Sequence, residues 1–223
     1  MSTIIKLKNV SKEFLEPRKN IVALKNINFN LKSGQCVGLL GPSGSGKTTL
    51  LQIAGLLDSQ TKGEIFINNK KCDNLSEEKK NLIRKKNIGF VYQNFYLLDS
   101  FSALENVIIP QLINGINYKK AKKKAVEILS AFGLSNRLNN KPRELSAGEK
   151  QRVAISRAIA NMPKIILADE PTGNLDKKNT DIVIKIIKDL VKNYKISFLI
   201  ATHNLSLTKK FDNIIKLSNG RIL

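Results

Sequence analysis

Tryptophan is absent from this chain, histidine occurs once, and cysteine occurs only twice. Cys36 and Cys72 show no CxxC spacing, and Cys36 sits inside an apolar run, so both read as reduced structural thiols rather than a disulfide or metal framework. Long apolar runs are missing too. None approaches the roughly eighteen residues that a membrane span needs, and the opening MSTIIKLKNV holds no signal-peptide core. The expectation is a cytosolic globular protein. Acidic residues are scarce, 18 Asp plus Glu against 38 Lys plus Arg, which leaves a formal charge of +20. Lysine supplies nearly all of it and is scattered through every segment. Without clustered arginines or interleaved aromatics, that pattern is a poor footprint for nucleic acid. It reads first as solvated lysine-rich faces and second as attraction to an anionic membrane surface. No specific nucleic-acid partner is expected.

What is present is a phosphate-binding signature in the right setting. Gln35 to Leu40 is a short apolar run suited to a buried strand, Gly41 to Thr48 fits G-x-x-x-x-G-K-[ST], and Thr49 to Ala54 reads as the helix that follows. Gly41, Gly44 and Gly46 let the backbone turn tightly and aim successive N–H groups inward as an anion nest. The positive end of the next helix adds to that field. Lys47 is placed to reach the β- and γ-phosphates of a nucleotide, and the Thr48 hydroxyl to ligate Mg²⁺.

Other segments fall around that turn. Ile4–Leu7 and Ala23–Leu31 are expected strands, with Ser11 to Asn20 a charged loop carrying Phe14 and Pro17. Ile27, Phe29 and Leu31 alternate with polar partners, the period of a strand buried on one face. Gly63–Asn68 and Ile88–Gln93 are further strands, and Glu77–Lys86 is a polar helix. Ser102-x-x-Glu105 opens a helix in capping-box form, and Tyr118 to Phe132 has helical spacing with a basic face at Lys119–Lys124. No strand is expected between Gln93 and Lys164, so residues 94–147 read as an inserted helical subdomain. A helix from about Lys150 leads to the apolar strand Lys164–Glu170, which ends in two carboxylates. Asn179–Tyr194 is an amphipathic helix, and Ser197–His203 is a strand ending in the lone histidine. Gln93, Asp169 and His203 therefore all sit at strand ends, where ligand sites gather in parallel sheets. After the turn at Asn219-Gly220 the sequence stops, and no further domain is expected.

The motifs together resemble the ATP-binding cassette ATPases over nearly the whole chain. GPSGSGKTT matches the family's P-loop, Gln93 its Q-loop, and Leu145–Glu149 (LSAGE) its signature sequence. ILADE matches its Walker B strand and catalytic glutamate, Gly173–Asp176 its D-loop, and His203 its switch histidine. The signature departs from LSGGQ at Ala147 and Glu149 but keeps Ser146 and Gly148. Ala168–Asp176 (ADEPTGNLD) is similar to the branch that includes lipoprotein-releasing, macrolide-efflux and cell-division ATPases. Ile53–Asp58 and Ser102–Ile113 are most similar to the lipoprotein-releasing members.

The resemblance implies a single α/β domain over residues 1–223. Its P-loop NTPase (RecA-like) core would span 1–93 and 148–223, with a mainly parallel sheet, an N-terminal antiparallel β part, and the helical subdomain inserted at 94–147. It implies ATP and Mg²⁺ as ligands, with nucleotide contacts from Phe14, Gly41, Pro42, Ser43, Gly44, Ser45, Gly46, Lys47, Thr48 and Thr49. Thr48, Gln93 and Asp169 would serve the metal, while Glu170 polarises the attacking water with help from His203 and Gln93. It further implies a head-to-tail homodimer in which Ser146 and Gly148 act on the opposite subunit's ATP. The partners would be integral membrane permease subunits, contacted by roughly residues 94–112, and these would bind a lipoprotein cargo. The ATPase itself would then be peripheral, on the cytoplasmic face of the inner membrane. A macrolide-efflux or cell-division role, or a soluble nucleic-acid-associated ATPase, is the alternative.

Overall fold

A computed structural model describes residues 2–15 and 20–223. The chain opens with two long antiparallel strands, β1 (Thr3–Leu15) and β2 (Asn20–Lys32). Leu7, Leu24, Ile27 and Leu31 are buried between more exposed neighbours, as alternation demands, while Ile4 and Ile5 are buried side by side at the start of β1. The pairing continues through Phe14 opposite Ile21 and Leu15 opposite Asn20, where a charged loop was expected. Beyond the Lys12–Leu24 pair the ribbon leaves the core, so charged side chains cost little there and backbone pairing decides the conformation. Pro17 lies outside the described residues.

Strand β3 (Cys36–Leu40) is buried at every position and feeds through the glycine-rich turn into α1 (Lys47–Ala54). Next come β4 (Lys62–Ile67) and β5 (Lys70–Lys71), joined by Asn68 and Asn69, which both take left-handed backbone angles as a tight hairpin turn requires. These strands complete an antiparallel sheet in the order β2-β1-β4-β5. Helix α2 (Glu77–Asn87) leads to β6 (Ile88–Val91), which ends two residues before Gln93. Helices α3 (Ala103–Ile113) and α4 (Tyr118–Ala131) follow without an intervening strand. Helix α5 (Ala147–Ile159) starts three residues earlier than its apolar pattern suggests. Its first turn is closed by Ser146 and Glu149 in the same reciprocal cap that Ser102 and Glu105 make on α3. The chain then runs through β7 (Ile165–Asp169), α6 (Lys177–Tyr194), β8 (Ser197–Thr202), β9 (Asn213–Ser218) and β10 (Arg221–Ile222).

The second sheet has the order β10-β9-β3-β8-β7-β6, parallel from β9 to β6, with β10 antiparallel at one edge. Its residues sort by parity. Val37, Leu39, Ile165, Leu167, Leu199 and Ala201 pack towards α1 and the antiparallel sheet. Cys36, Ile166, Ala168, Phe198 and Ile200 pack towards α5 and α6. Burial on both faces explains why these strands read as continuous apolar runs. The Cys36 thiol is pushed up to about 12, chiefly by this burial, which disfavours the thiolate. A third cluster joins α3, α4 and one face of α5 through Leu104, Val107, Ile108, Ala125, Leu129 and Val153.

One buried polar residue ties the loop before α3 to that helix. Asn106 is fully buried; its Oδ1 accepts from the Leu98 N–H at 2.8 Å, and its Nδ2 donates to the carbonyls of Leu98, Phe101 and Ser102. Asn106→Leu keeps the volume but leaves the Leu98 N–H and the Phe101 carbonyl unpaired, while the Leu98 and Ser102 carbonyls keep backbone donors; each unpaired group costs about 1–3 kcal/mol. With compensation by water, we expect a net loss of about 2–4 kcal/mol. Calorimetry should show a melting temperature lower by roughly 5–12 °C. An unchanged melting temperature would contradict this role.

Candidate functional site

The turn between β3 and α1 is shaped by close packing as well as by backbone freedom. A side chain on Gly41 would meet the Leu217 carbonyl oxygen at 2.3 Å, so this glycine is set by its neighbour β9. Gly46, with φ +103°, caps α1 against the Ala23 carbonyl, where a Cβ would lie 2.6 Å away. Lys47 starts the helix and curls its ammonium back onto the loop, donating to the carbonyls of Gly41 at 2.8 Å and Pro42 at 2.9 Å. Its charge is thereby fixed at the centre of the turn.

That turn forms one wall of a cavity of about 750 Å³. Ser43, Gly44, Gly46, Lys47, Thr48 and Thr49 line this wall, and Gln93, Asp169, Glu170 and His203 face them. A third side is apolar, built by Phe14, Ile21 and Val22 from the projecting hairpin. Lys12 lies over the Phe14 ring at 4.8 Å and is anchored by Asp58 at 2.7 Å. The cavity therefore offers a polar, cationic end and an apolar end, which suits a molecule with phosphates at one end and a flat ring at the other. Ile21 and Val22 are missed by motif reading. Their signal is a β-branched pair across the ribbon from Glu13 and Phe14.

Of the expected nucleotide contacts, Gly41, Pro42 and Ser45 do not line the cavity; Ser45 is buried beneath it with no partner for its hydroxyl. Ser146 and Gly148 are not part of it either. They cap and begin α5, and a Cβ on Gly148 would meet the Asn179 Oδ1 at 2.1 Å. Gln93 sits at the cavity rim, where its Nε2 donates to Asn174 at 3.3 Å and its carbonyl accepts from the Asn174 amide at 3.1 Å.

The strand ends bring the remaining groups together. Thr48 Oγ1 donates to Asp169 Oδ2 at 2.7 Å. Burial pushes the Asp169 carboxyl above the usual range, opposed by the Thr48 hydrogen bond. A divalent cation beside Asp169 would offset that desolvation. Two hard oxygen donors in contact fit Mg²⁺, which keeps several waters and takes further ligands from phosphate. Among the described residues no cluster of three or more His, Cys, Asp or Glu could hold a metal without such help.

Glu170 follows with φ +45°, an uncommon angle for this residue, held because its own N–H donates to the Ala201 carbonyl at 2.9 Å. Its carboxylate faces into the cavity between defined donors. Oε2 accepts from Thr202 Oγ1 at 2.9 Å, Oε1 from the His203 N–H at 2.8 Å, and His203 Nδ1 lies 2.7 Å from Oε1. Thr202 is fully buried, whereas His203 is largely exposed. The sequence marks His203 but not Thr202, the residue that fixes the second carboxylate oxygen.

The model of the ABC transporter family matches residues 24–173. The chain belongs to that family. It is 45% identical over 98% of its length to the lipoprotein-releasing system ATP-binding protein LolD 1 of Rhodospirillum rubrum, and covers 97% of that relative. It is 47% identical to LolD of Rickettsia bellii, over 98% of this chain and 97% of that one. Among solved structures it is similar to the dimeric ATP-binding cassette MJ0796 bound to ADP and Pi, with a TM-score of 0.92 at 40% identity, covering 98% of this chain and 96% of that one. The antiparallel sheet, parallel sheet and helical insertion are the cassette fold of this family.

Thr202 generates a prediction specific to this geometry. Thr202→Val preserves shape in the buried strand end but removes the donor to Glu170 Oε2. A hydrogen bond to a charged group contributes about 1.5–3 kcal/mol. We expect turnover to fall about tenfold or more, with nucleotide affinity unchanged. Steady-state ATPase assays beside nucleotide titration check this, and equal losses in both would contradict it.

Proposed function

We propose that this chain is the ATP-hydrolysing subunit of a transporter that releases lipoproteins from the inner membrane. The arrangement of Lys47, Thr48, Asp169 and Glu170 around one cavity carries the ATPase part of this reading. The identity to LolD proteins over nearly the full chain supports the cargo.

Hydrolysis of ATP needs positioning and charge neutralisation more than covalent chemistry. The apolar wall of Phe14, Ile21 and Val22 suits the base, and the loop N–H groups and Lys47 suit the triphosphate. To reach the β- and γ-phosphates, Lys47 must exchange its two carbonyl partners for phosphate oxygens, a trade between comparable hydrogen bonds. Mg²⁺, when bound, would neutralise charge building on the β- and γ-oxygens. Thr48 and Asp169 are its proposed holders, with Gln93 at the rim. Glu170 then accepts a proton from the attacking water, and Thr202 and the His203 N–H keep its carboxylate aimed. The His203 ring, exposed beside Oε1, is placed to orient that water once it turns from the carboxylate towards the γ-phosphate.

We further propose a head-to-tail homodimer, as in the dimeric MJ0796 cassette. Ser146 and Gly148, which no ligand in their own subunit's cavity would touch, would serve the opposite one. Ala147 is exposed at the same helix start and presents a methyl group to that partner. Residues 94–147 are proposed to shift as a unit when the dimer closes. Among the described residues no helix is long and apolar enough to cross a membrane, so movement must pass to permease subunits at the inner membrane's cytoplasmic face. A groove of about 540 Å³ between β6 and the end of α3, lined by Leu57, Phe90, Tyr92, Pro110 and Ile113, is the proposed docking place. Arg84 and Arg157 edge it.

The test is Glu170→Gln. General-base participation is typically worth ~10²–10⁴ in rate, so hydrolysis should fall by that range with ATP binding intact. In vesicles reconstituted with the permease, wild-type protein should release a lipoprotein on ATP addition and the variant should not. Wild-type turnover in the variant would remove Glu170 from the mechanism. Normal lipoprotein sorting after depletion of the chain would move the cargo to a sister transporter.

A further inference from the structure

The corner between α3 and α4 combines two features seldom left exposed together. From residue 106 to residue 126 the sequence holds five lysines and no Asp or Glu. Ala121, Ala125 and Leu129 bury one face of α4, so Lys119, Lys120, Lys122 and Lys123 project from the rest. None of them makes an ion pair among the described residues, unlike Lys8, Lys12, Lys71 and Lys80 elsewhere. Beside them Leu112, Ile113 and Tyr118 are 41%, 66% and 56% exposed. The stems of Lys119, Lys122 and Lys123, with Tyr118, Val126 and a single carboxylate, Glu127, border a shallow depression of about 550 Å³.

We infer that this corner is a contact site for an anionic lipid surface. Four adjacent ammonium groups gain from the potential of an anionic leaflet, while isoleucine, leucine and tyrosine suit the headgroup boundary and lysine stems let charge and apolar surface be satisfied together. An acidic polypeptide would match the charge but leave Leu112 and Ile113 without an apolar partner. Ile113 also lines the groove assigned above to the permease, so corner and groove face the same side. That orientation rests on the transporter reading; the lipid contact does not, and it is measurable on this chain alone. The contact would hold the ATPase close to the bilayer between encounters with its permease.

The experiment is sedimentation of the purified chain with vesicles of equal phosphatidylglycerol and phosphatidylethanolamine, at physiological salt, against phosphatidylcholine vesicles. Binding should require the anionic lipid. Replacing Lys119, Lys120, Lys122 and Lys123 with Gln should reduce partitioning by roughly several hundredfold, from roughly fivefold per lysine near such a surface. The same change at four exposed lysines of α6, Lys178, Lys185, Lys188 and Lys192, should cost far less. Ile113→Ser with Tyr118→Ser should weaken binding at high salt as well as low. Equal losses from the α4 and α6 sets would overturn the site in favour of diffuse charge, as would absence of wild-type binding. Tighter binding to polyglutamate than to anionic vesicles would replace the lipid with an acidic protein segment. ATPase activity measured in the same preparations reports separately on the catalytic reading.

Discussion

Because β3, β8 and β7 pair in parallel, with Leu40 opposite Thr202 and Ala201 opposite Asp169, their carboxyl ends come out side by side. Every reactive group hangs from that register. The phosphate-binding turn leaves β3, the two carboxylates leave β7, and the threonine and histidine that hold Glu170 leave β8. Thr48 reaches across to Asp169 because the turn folds α1 back over the sheet. A slip of one residue in β7 would turn Asp169 away from Thr48 towards α5 and α6 and swing Glu170 to the α1 face, away from Thr202 and His203. The burial that fixes the register, on both faces of the sheet, therefore fixes the site.

Within that frame the site holds its charges in temporary partnerships. Lys47 rests on loop carbonyls, Glu170 on the His203 ring, and Gln93 on Asn174. Each group has a good partner that a nucleotide, its metal or the attacking water can replace. This keeps the cost of desolvating charge low before ligand arrives. It also links ligand binding to segments outside the cavity. Moving Gln93 frees Asn174 next to α6, and the loop beyond Gln93 leads directly to the Asn106-anchored turn and α3.

Much of this was legible from motifs because the chemistry requires particular residues at fixed strand ends. The parallel core, the antiparallel N-terminal part and the helical insertion all followed from apolar runs and the family resemblance. What escaped were features set by distant partners. The ribbon at Ser11–Leu15 is held by backbone pairing to β2, which carries no side-chain periodicity once both faces are solvated. The early start of α5 rests on the Ser146–Glu149 cap, a signal readable at Ser102 and overlooked where it coincides with the signature motif. Gly41 and Gly148 read as phosphate contacts, yet neighbouring Leu217 and Asn179 forbid a side chain at either position. Thr202 and Ile21 had no motif to mark them, since their roles come only from what lies across the sheet or the ribbon.

His203 is the only histidine in the chain, so its ring gives a single set of nitrogen resonances and watches Glu170 directly. Selective ¹⁵N labelling of histidine, followed during titration with a non-hydrolysable ATP analogue and Mg²⁺, tests the claim that the strand ends form the nucleotide site. The account predicts a saturable shift of the ring signals that follows nucleotide binding measured independently, as His203 gives up Glu170 for the γ-phosphate. Nucleotide binding with the histidine signals unmoved would contradict it.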